Sequence, residues 1–208
     1  MTARSGVWIT LEGGDGSGKT TQAELLEKWL TDAGHTVLRT REPGGSEVGH
    51  LIRDIVLHHR GDIAPRAEAL LYAADRAHHV ATVVRPALER GEIVLQDRYL
   101  DSSVAYQGAG RVLDATEVRE LSLWAAEGAL PDLTLLLDLD AATARTRLDS
   151  ADKPFDRLES EKAEFHTRVR ESFLALAAAE PERFLVLDAA QAPEVIAAGI
   201  RARVAALV

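Results

Sequence analysis

The chain has 208 residues, of which 46% are hydrophobic, so we expect one α/β domain spanning residues 1–208 rather than a disordered or multidomain protein. The absence of cysteine excludes a disulfide framework and a thiolate metal site, and the formal net charge of −9 disfavours a general nucleic-acid binder. No apolar run approaches the roughly 20 residues of a membrane helix, and the first residues are polar, unlike a secretory signal. A cytoplasmic location is therefore expected.

Hydrophobic periodicity predicts strands that alternate with helices. Short apolar runs predict strands at 7–11, 36–40, 93–96, 133–139 and 184–187. Apolar residues at helical spacing predict helices at 22–33, 48–58, 64–90, 114–127, 141–148 and 160–179, and a last helix that begins at Pro193. Pro86 should kink the longest of these helices or make its last turn irregular. This alternation predicts a parallel sheet with helices on both faces.

A phosphate-binding loop follows the first predicted strand. Residues 13–20 read GGDGSGKT and match G-x-x-x-x-G-K-[ST] between a strand and a helix. Glycines let several backbone N–H groups approach a phosphate, and the following helix adds its positive N-terminal end. Lys19 is expected to contact the β/γ-phosphates of a bound nucleotide, and the Thr20 hydroxyl is expected to bind Mg²⁺. The predicted nucleotide-binding residues are Gly13, Gly14, Asp15, Gly16, Ser17, Gly18, Lys19, Thr20 and Thr21. The loop alone does not settle the reaction, since GTPases, ATP-driven machines and small-molecule kinases all use it.

Three further segments should lie beside this loop. REPGG (41–45) ends the second predicted strand, DRYLDSS (97–103) follows the third, and AYQG (105–108) comes shortly afterwards. Because ligands bind at the carboxyl ends of the strands in a parallel sheet, these segments and the phosphate-binding loop are expected to meet around one site.

With the phosphate-binding loop, these segments strongly resemble the thymidylate kinases. The resemblance covers essentially the whole chain, and REPGG followed by DRYxDSSxAYQG is specific at the family level. It implies a P-loop NTPase-type five-stranded parallel sheet flanked by helices on both faces, with a mobile lid at about residues 148–158. It also implies a homodimer that uses Mg²⁺ and transfers the γ-phosphoryl group of ATP to dTMP.

The resemblance assigns catalytic roles to residues that follow the third strand. Asp97 would lie near the metal and its waters, and Arg98 would bridge the donor and acceptor phosphates, as a fixed guanidinium can. Two structural alternatives stay open at this point. Asp97 could instead cap a helix, and Arg98 could instead form an ion pair with a neighbouring carboxylate.

The acceptor sugar and phosphate are assigned to four residues by the same resemblance. Asp15 would accept a hydrogen bond from the 3′-hydroxyl, although a carboxylate beside a triphosphate site is electrostatically unfavourable. Tyr106 would crowd the 2′ position and so favour deoxyribose. Arg53 would grip the acceptor phosphate, with help from Arg41.

The acceptor base is assigned to residues on the long helix and beyond it. Tyr72 would stack on thymine and Arg76 would contact a thymine carbonyl, since residues four apart share one helix face. A core tyrosine and a surface arginine are the structural alternative for this pair. Ser103 and Gln107 would address the base edge, and Pro43 would shape the pocket wall near the thymine methyl group.

The lid segment is expected to close over ATP, exclude water and bring positive charge to the transferring group. Residues 14–17 of the phosphate-binding loop include no arginine, so the sequence resembles the branch of the family whose lid supplies the basic residues. Lys153 and Arg157 are the predicted catalytic lid residues, and Arg147 is a further basic residue nearby. Arg157 could instead pair with a neighbouring carboxylate.

Two other functions compete with this reading. The nearest is a kinase for another nucleotide or for a deoxynucleoside. Asp15, Arg53, Tyr72 and Arg76 argue for a pyrimidine nucleotide as the acceptor, so a kinase for another pyrimidine nucleotide stays open. The other is a GTP-dependent switch, which would need a guanine-reading N-K-x-D segment, and the sequence contains none. A turnover assay with ATP and dTMP would separate these possibilities.

Overall fold

A computed structural model of the chain describes residues 6–110, 113–150 and 156–208. All five predicted strands are present and pair in parallel in the order β2-β3-β1-β4-β5. Their bounds are Trp8–Glu12 (β1), Val37–Arg41 (β2), Ile93–Asp97 (β3), Leu133–Asp138 (β4) and Phe184–Asp188 (β5). The predicted parallel sheet is therefore confirmed, and its central strand leads directly into the phosphate-binding loop.

Nine α-helices and two π-helical segments connect the strands in the described part of the chain. The α-helices are Lys19–Asp32 (α1), Glu47–His58 (α2), Pro65–His79 (α3), Arg85–Glu89 (α4), Leu100–Ser103 (α5), Ala115–Ala125 (α6), Ala141–Asp149 (α7), Ala163–Ala179 (α8) and Pro193–Val204 (α9). The π-helical segments are Val80–Val84 and Val104–Gly110. None of the helices in the described ranges is long and apolar enough to span a lipid bilayer.

The single long helix expected at 64–90 is divided into three parts. The π-helical segment Val80–Val84 separates α3 from α4, and Pro86 occupies the first turn of α4. Proline lacks the backbone N–H that would continue the α-helical pattern, so the irregular turn lies immediately before it. The irregularity expected from Pro86 is therefore present.

Hydrophobic cores lie on both faces of the sheet, as predicted. On one face, Leu11 of β1 packs in a cluster with Leu30 of α1 and Ile200 of α9. On the other face, Trp8 packs in a cluster with Val84 and Leu88. A strand covered on both faces is apolar without alternation, which is why the sequence of β4 reads as a continuous apolar run.

Candidate functional site

The phosphate-binding loop runs from the end of β1 to the start of α1. Gly13 has a φ of 130° and Gly18, the residue that precedes α1, has a φ of 95°, so both need the conformational freedom of glycine. The Lys19 ammonium group donates hydrogen bonds to the carbonyl oxygens of Gly13 (3.1 Å) and Gly14 (2.9 Å). Burial, and then the positive charge of Arg98, lower the pKa of Lys19. The loop thus holds a buried lysine at the amino end of a helix.

A pocket of about 500 Å³ lies between this loop and the carboxyl ends of β2 and β3. Most of the residues predicted from the sequence line it together. They are Asp15, Gly16, Gly18, Lys19, Thr20, Arg41, Pro43, Arg53, Tyr72, Arg76, Asp97, Arg98, Ser103, Tyr106 and Gln107. The other predicted loop residues are Gly13 and Gly14, which line a smaller neighbouring cavity, and Ser17 and Thr21.

Arg98 is the hub of the pocket. Its guanidinium donates to Asp15 Oδ1 (2.6 Å), to the carbonyl oxygen of Gly13 (3.1 Å) and to Ser102 Oγ (3.1 Å). Tyr106 donates its hydroxyl hydrogen to the other oxygen of Asp15 at 3.2 Å, and Arg98 lies 5.0 Å from the centre of the Tyr106 ring. Although burial opposes ionisation, Arg98 and the loop lysine hold the pKa of Asp15 well below its ordinary value. The ion-pair alternative for Arg98 is realised, but with a partner that lines the same pocket.

A buried carboxylate that was not predicted from the sequence holds the segment after β3. Glu12 Oε1 accepts hydrogen bonds from the backbone N–H groups of Tyr99 (2.8 Å) and Ser102 (3.2 Å), and Oε2 accepts from Ser102 Oγ (2.6 Å). Burial, together with the nearby charge of Asp101, raises the pKa of Glu12 to about 7. Arg98 has a φ of 65°, so Glu12 fixes the backbone next to a residue in a left-handed conformation.

The far end of the pocket is built around Arg76, which is fully buried. The Arg76 guanidinium donates to Ser122 Oγ (3.0 Å) and Ser103 Oγ (3.1 Å), and its Nε lies 3.0 Å from Glu42 Oε2 in an ion pair. The surface-arginine alternative is therefore excluded. Tyr72, one helical turn earlier, is also buried and lines the pocket. Neither Glu42 nor Ser122 was predicted, because nothing in the sequence links them to an arginine on another helix.

Glu42 also anchors the loop after β2. His79 Nδ1 lies 2.9 Å from Glu42 Oε1, and His79 Nε2 lies 2.6 Å from Thr40 Oγ1. Asp75 accepts a hydrogen bond from the Gly44 N–H at 3.2 Å, and burial, followed by the charge of Glu42, raises the pKa of Asp75 to about 6. These contacts tie the REPGG segment to α3.

The acceptor-phosphate candidates lie beside that loop. Arg53 of α2 donates to the carbonyl oxygen of Pro43 at 2.9 Å and lines the pocket together with Arg41. Burial, and then the charge of Arg41, lower the pKa of Arg53. Two guanidinium groups whose positive charges repel each other are suited to binding a dianion between them.

The predicted lid residues fall partly outside the described structure. Lys153 lies in the range 151–155, which is not described. Arg157 donates to Glu68 Oε2 and to the carbonyl oxygen of Val56 (2.9 Å), and it is not among the described residues that line the pocket. By contrast, Arg147 of α7 lines the pocket and donates to the carbonyl oxygen of Gly16 at 3.4 Å.

The oxygen ligands expected for Mg²⁺ lie in the same pocket. Thr20 is exposed at the start of α1, and Asp97 ends β3. Asp97 Oδ1 is buried and has no hydrogen-bond partner among the described residues, so it is free to contact a cation or its water. Since Mg²⁺ is commonly bound by one or two protein oxygens plus substrate phosphates, these residues fit that ion.

Comparisons with known proteins agree on one family. A family model described as thymidylate kinase matches residues 11–200. A thymidylate kinase of Clavibacter michiganensis subsp. michiganensis is 74% identical over 204 residues, covering 98% of this chain and 97% of the relative. A thymidylate kinase of Deinococcus radiodurans is 52% identical over 199 residues, covering 96% of each. The crystal structure of thymidylate kinase from Ehrlichia chaffeensis superposes with a TM-score of 0.74 at 31% identity, covering 88% of this chain and 93% of that one.

Proposed function

The chain belongs to the thymidylate kinase family, and we propose that the pocket described above is where it transfers the γ-phosphoryl group of ATP to dTMP. One observation carries this assignment. The phosphate-binding lysine and the buried base-end pair, Tyr72 and Arg76, line one continuous pocket, with Arg98 between them. A kinase needs its donor and acceptor sites to meet at a charged centre, and we treat residues 1–208 as the single domain that provides them.

At the donor end, the N–H groups of the phosphate-binding loop and the start of α1 would hold the phosphates of ATP. Lys19 would exchange its hydrogen bonds to loop carbonyl oxygens for bonds to the β/γ-phosphates. Thr20 and Asp97 would hold Mg²⁺, which when bound neutralises charge on the transferring phosphates.

At the centre, Arg98 would contact both phosphates as charge spreads over the transferring group. Its left-handed backbone and its bonds to Asp15 and Ser102 fix the guanidinium before substrate binds. The dTMP phosphate is already a nucleophile, so no covalent intermediate and no strong general base are needed. Asp15, ionised because of Arg98, would accept the hydrogen bond of the 3′-hydroxyl, and Tyr106 would occupy the space beside C2′.

At the acceptor end, Arg53 and Arg41 would bind the dTMP phosphate, and Pro43 would form the wall near the thymine methyl group. Tyr72 would stack on thymine, while Arg76 would contact a carbonyl oxygen and Ser103 the base edge. The hydrogen bonds that Arg76 donates to two serines, together with its ion pair with Glu42, hold it in place for that contact.

For the lid, Lys153 and Arg157 remain our candidates for the basic residues that approach the transferring group. Arg157 would have to exchange Glu68 for a phosphate to take that role, because it is bound to this carboxylate in the structure. Arg147 is a third candidate, since it already lies against the phosphate-binding loop.

We also propose that the enzyme acts as a homodimer in the cytoplasm. An exposed apolar surface on α2, α3 and α6 supports the dimer, because large exposed apolar patches commonly mark protein interfaces. Its residues are Val48, Leu51, Ile55, Leu70 and Trp124, of which Leu51 is 66% exposed and Trp124 is 80% exposed. Sedimentation of the wild-type chain and of Leu51→Glu tests the dimer, and a wild-type monomer at micromolar concentration would exclude it.

A substrate panel tests the activity assigned to this pocket. ADP formation from ATP and Mg²⁺ would be measured with dTMP, dUMP, dCMP, the purine deoxynucleotides and thymidine. We expect the highest kcat/KM with dTMP. A higher value with another pyrimidine nucleotide, or with the nucleoside, would support the alternative kinase instead. Chelation of Mg²⁺ should abolish turnover, and re-addition should restore it.

A further inference from the structure

Glu68 is a fully buried carboxylate on α3, one helical turn before Tyr72, and it contacts the pocket residue Gln107. Among the described residues, it accepts hydrogen bonds from two that are distant in the sequence. Gln107 Nε2 donates to Oε1 at 2.9 Å, and the Arg157 guanidinium donates to Oε2. Both donors are N–H groups, and each reaches a different carboxylate oxygen, so Glu68 is the acceptor in both hydrogen bonds.

The Glu68 carboxylate, which also accepts from Arg157, determines which way the Gln107 amide faces. A glutamine amide has a donor nitrogen on one branch and an acceptor oxygen on the other, whereas an ionised carboxylate can only accept. If the amide were reversed, its carbonyl oxygen would face the carboxylate, and two acceptors would be buried against each other. The observed orientation is therefore strongly favoured, and it turns the amide oxygen away from Glu68.

Gln107 lines the pocket, as do Tyr72 and Arg76. An amide oxygen presented to a base pairs with a donor on that base. Thymine and uracil carry a hydrogen on N3, whereas the N3 atom of neutral cytosine is an acceptor. We propose that Glu68 is a positioning residue for base specificity, which locks the Gln107 amide so that the pocket accepts a base with an N3–H group and rejects cytosine.

The inference rests on the proposed function, and it requires Arg157 to stay paired with Glu68, which leaves Lys153 and Arg147 as the basic residues that would approach the phosphates. The backbone N–H of Arg157 donates to the carbonyl oxygen of Leu57 at 3.3 Å, and its side chain donates to that of Val56 at 2.9 Å. Arg157 thereby brings a positive charge from the end of the lid segment to the carboxylate that accepts from the Gln107 amide.

The test compares dTMP with 5-methyl-dCMP, which keeps the methyl group and the sugar and changes only N3 and C4 of the base. The readout is the ratio of the two kcat/KM values. Wild type should prefer dTMP by about 100-fold or more, because mismatched buried polar groups are discriminated strongly. Glu68→Gln frees the Gln107 amide to reverse, so this ratio should fall by about 10-fold through better use of 5-methyl-dCMP. Misfolding would lower kcat/KM for both substrates, so it does not explain a higher kcat/KM with 5-methyl-dCMP.

A double-mutant cycle separates positioning from general damage. Once Gln107→Ala has removed the amide, adding Glu68→Gln should leave the ratio unchanged. Glu117→Gln makes the same chemical change on a carboxylate that is 67% exposed, and it should match wild type. The proposal is overturned if Glu68→Gln lowers kcat/KM equally for both substrates. It is also overturned if Glu68→Gln still changes the ratio in the Gln107→Ala background.

A wild-type measurement keeps the test decisive if Glu68→Gln does not fold. The probe is N3-methyl-dTMP, which retains both base carbonyls and lacks the N3–H donor. Wild type should use it about 10-fold less well than dTMP, because the Gln107 oxygen would be left unpaired. Equal use would refute the proposal while leaving the kinase assignment intact. Failure to phosphorylate dTMP at all would instead refute the proposed function.

Discussion

Replacing Glu12 with glutamine should make the protein more stable at alkaline pH. Burial raises the pKa of Glu12 from an ordinary value of 4.5 to about 7. At about 1.4 kcal/mol for each pH unit between those values, the penalty for ionising Glu12 in the folded state reaches about 3 kcal/mol. Glutamine has the shape of the protonated acid and carries no charge, so Glu12→Gln avoids this penalty.

The direction of the effect follows from proton binding. Between pH 4.5 and about 7 the folded state keeps the Glu12 proton while the unfolded state has lost it. The folded state therefore binds more protons, and the Glu12 contribution to stability falls as the pH rises through this window. Wild type and Glu12→Gln should have similar stability at pH 5 and should differ by up to about 3 kcal/mol at pH 8.

This difference in stability is measured by urea unfolding at pH 5, 6, 7 and 8, without nucleotide or Mg²⁺. Tryptophan fluorescence reports the unfolding. Asp75, whose pKa is also raised, to about 6, contributes to both proteins and cancels in the comparison. Parallel stability curves for the two proteins would refute the reasoning. Turnover should still fall in Glu12→Gln, because the Ser102 hydroxyl loses its ionic acceptor beside Arg98.

Substitutions at three further positions probe separate parts of the structure. Lys19→Ala should lower kcat by a factor of about 10² to 10³ with an unchanged urea midpoint, and wild-type turnover from the folded variant would contradict the kinase site. Tyr106→Ala should reduce the kcat/KM discrimination between dTMP and its ribo counterpart by about 1–3 kcal/mol, whereas Tyr106→Phe should largely keep that discrimination. If the alanine variant discriminates as strongly as wild type, another residue excludes the 2′-hydroxyl group. Arg183→Met should lower the free energy of unfolding in urea by about 3–5 kcal/mol, because Asp101, which Arg183 binds at 2.7 and 2.9 Å in the wild type, becomes a buried unpaired charge. A loss below about 1 kcal/mol would show that this pair is not stabilising.

The sequence predicted those parts of the structure that depend on local pattern. Short strand-like segments between helical patterns identified the five strands, and the glycines and Lys19 identified the phosphate-binding loop. It did not predict Glu12, Glu42 or Glu68, which contact segments 34 to 90 residues away along the chain. A glutamate in a sequence reads as a surface residue, and its burial depends on partners that folding brings to it.

The helical segment at 100–110 was also missed, and its residues were treated as part of the loops beyond β3. The sequence there is rich in serine and glycine and has no apolar stripe. Contacts from elsewhere stabilise this conformation, since Glu12 accepts the Ser102 N–H and Arg168 donates to the carbonyl oxygens of Ala109 (3.3 Å) and Gly110 (3.1 Å). Tertiary contacts of this kind override weak local propensity.

Two consecutive residues of the short helix α5 contact opposite ends of the pocket. Ser102 bonds to Glu12 and Arg98 on the phosphate side, while Ser103 accepts from Arg76 on the base side. In a library of random variants screened for new nucleotide preferences, substitutions that tilt this helix should therefore alter both the turnover rate and the selectivity for the base. Changes at Glu68, on a different helix, should yield altered selectivity with less loss of speed, which makes that position the better starting point for directed evolution.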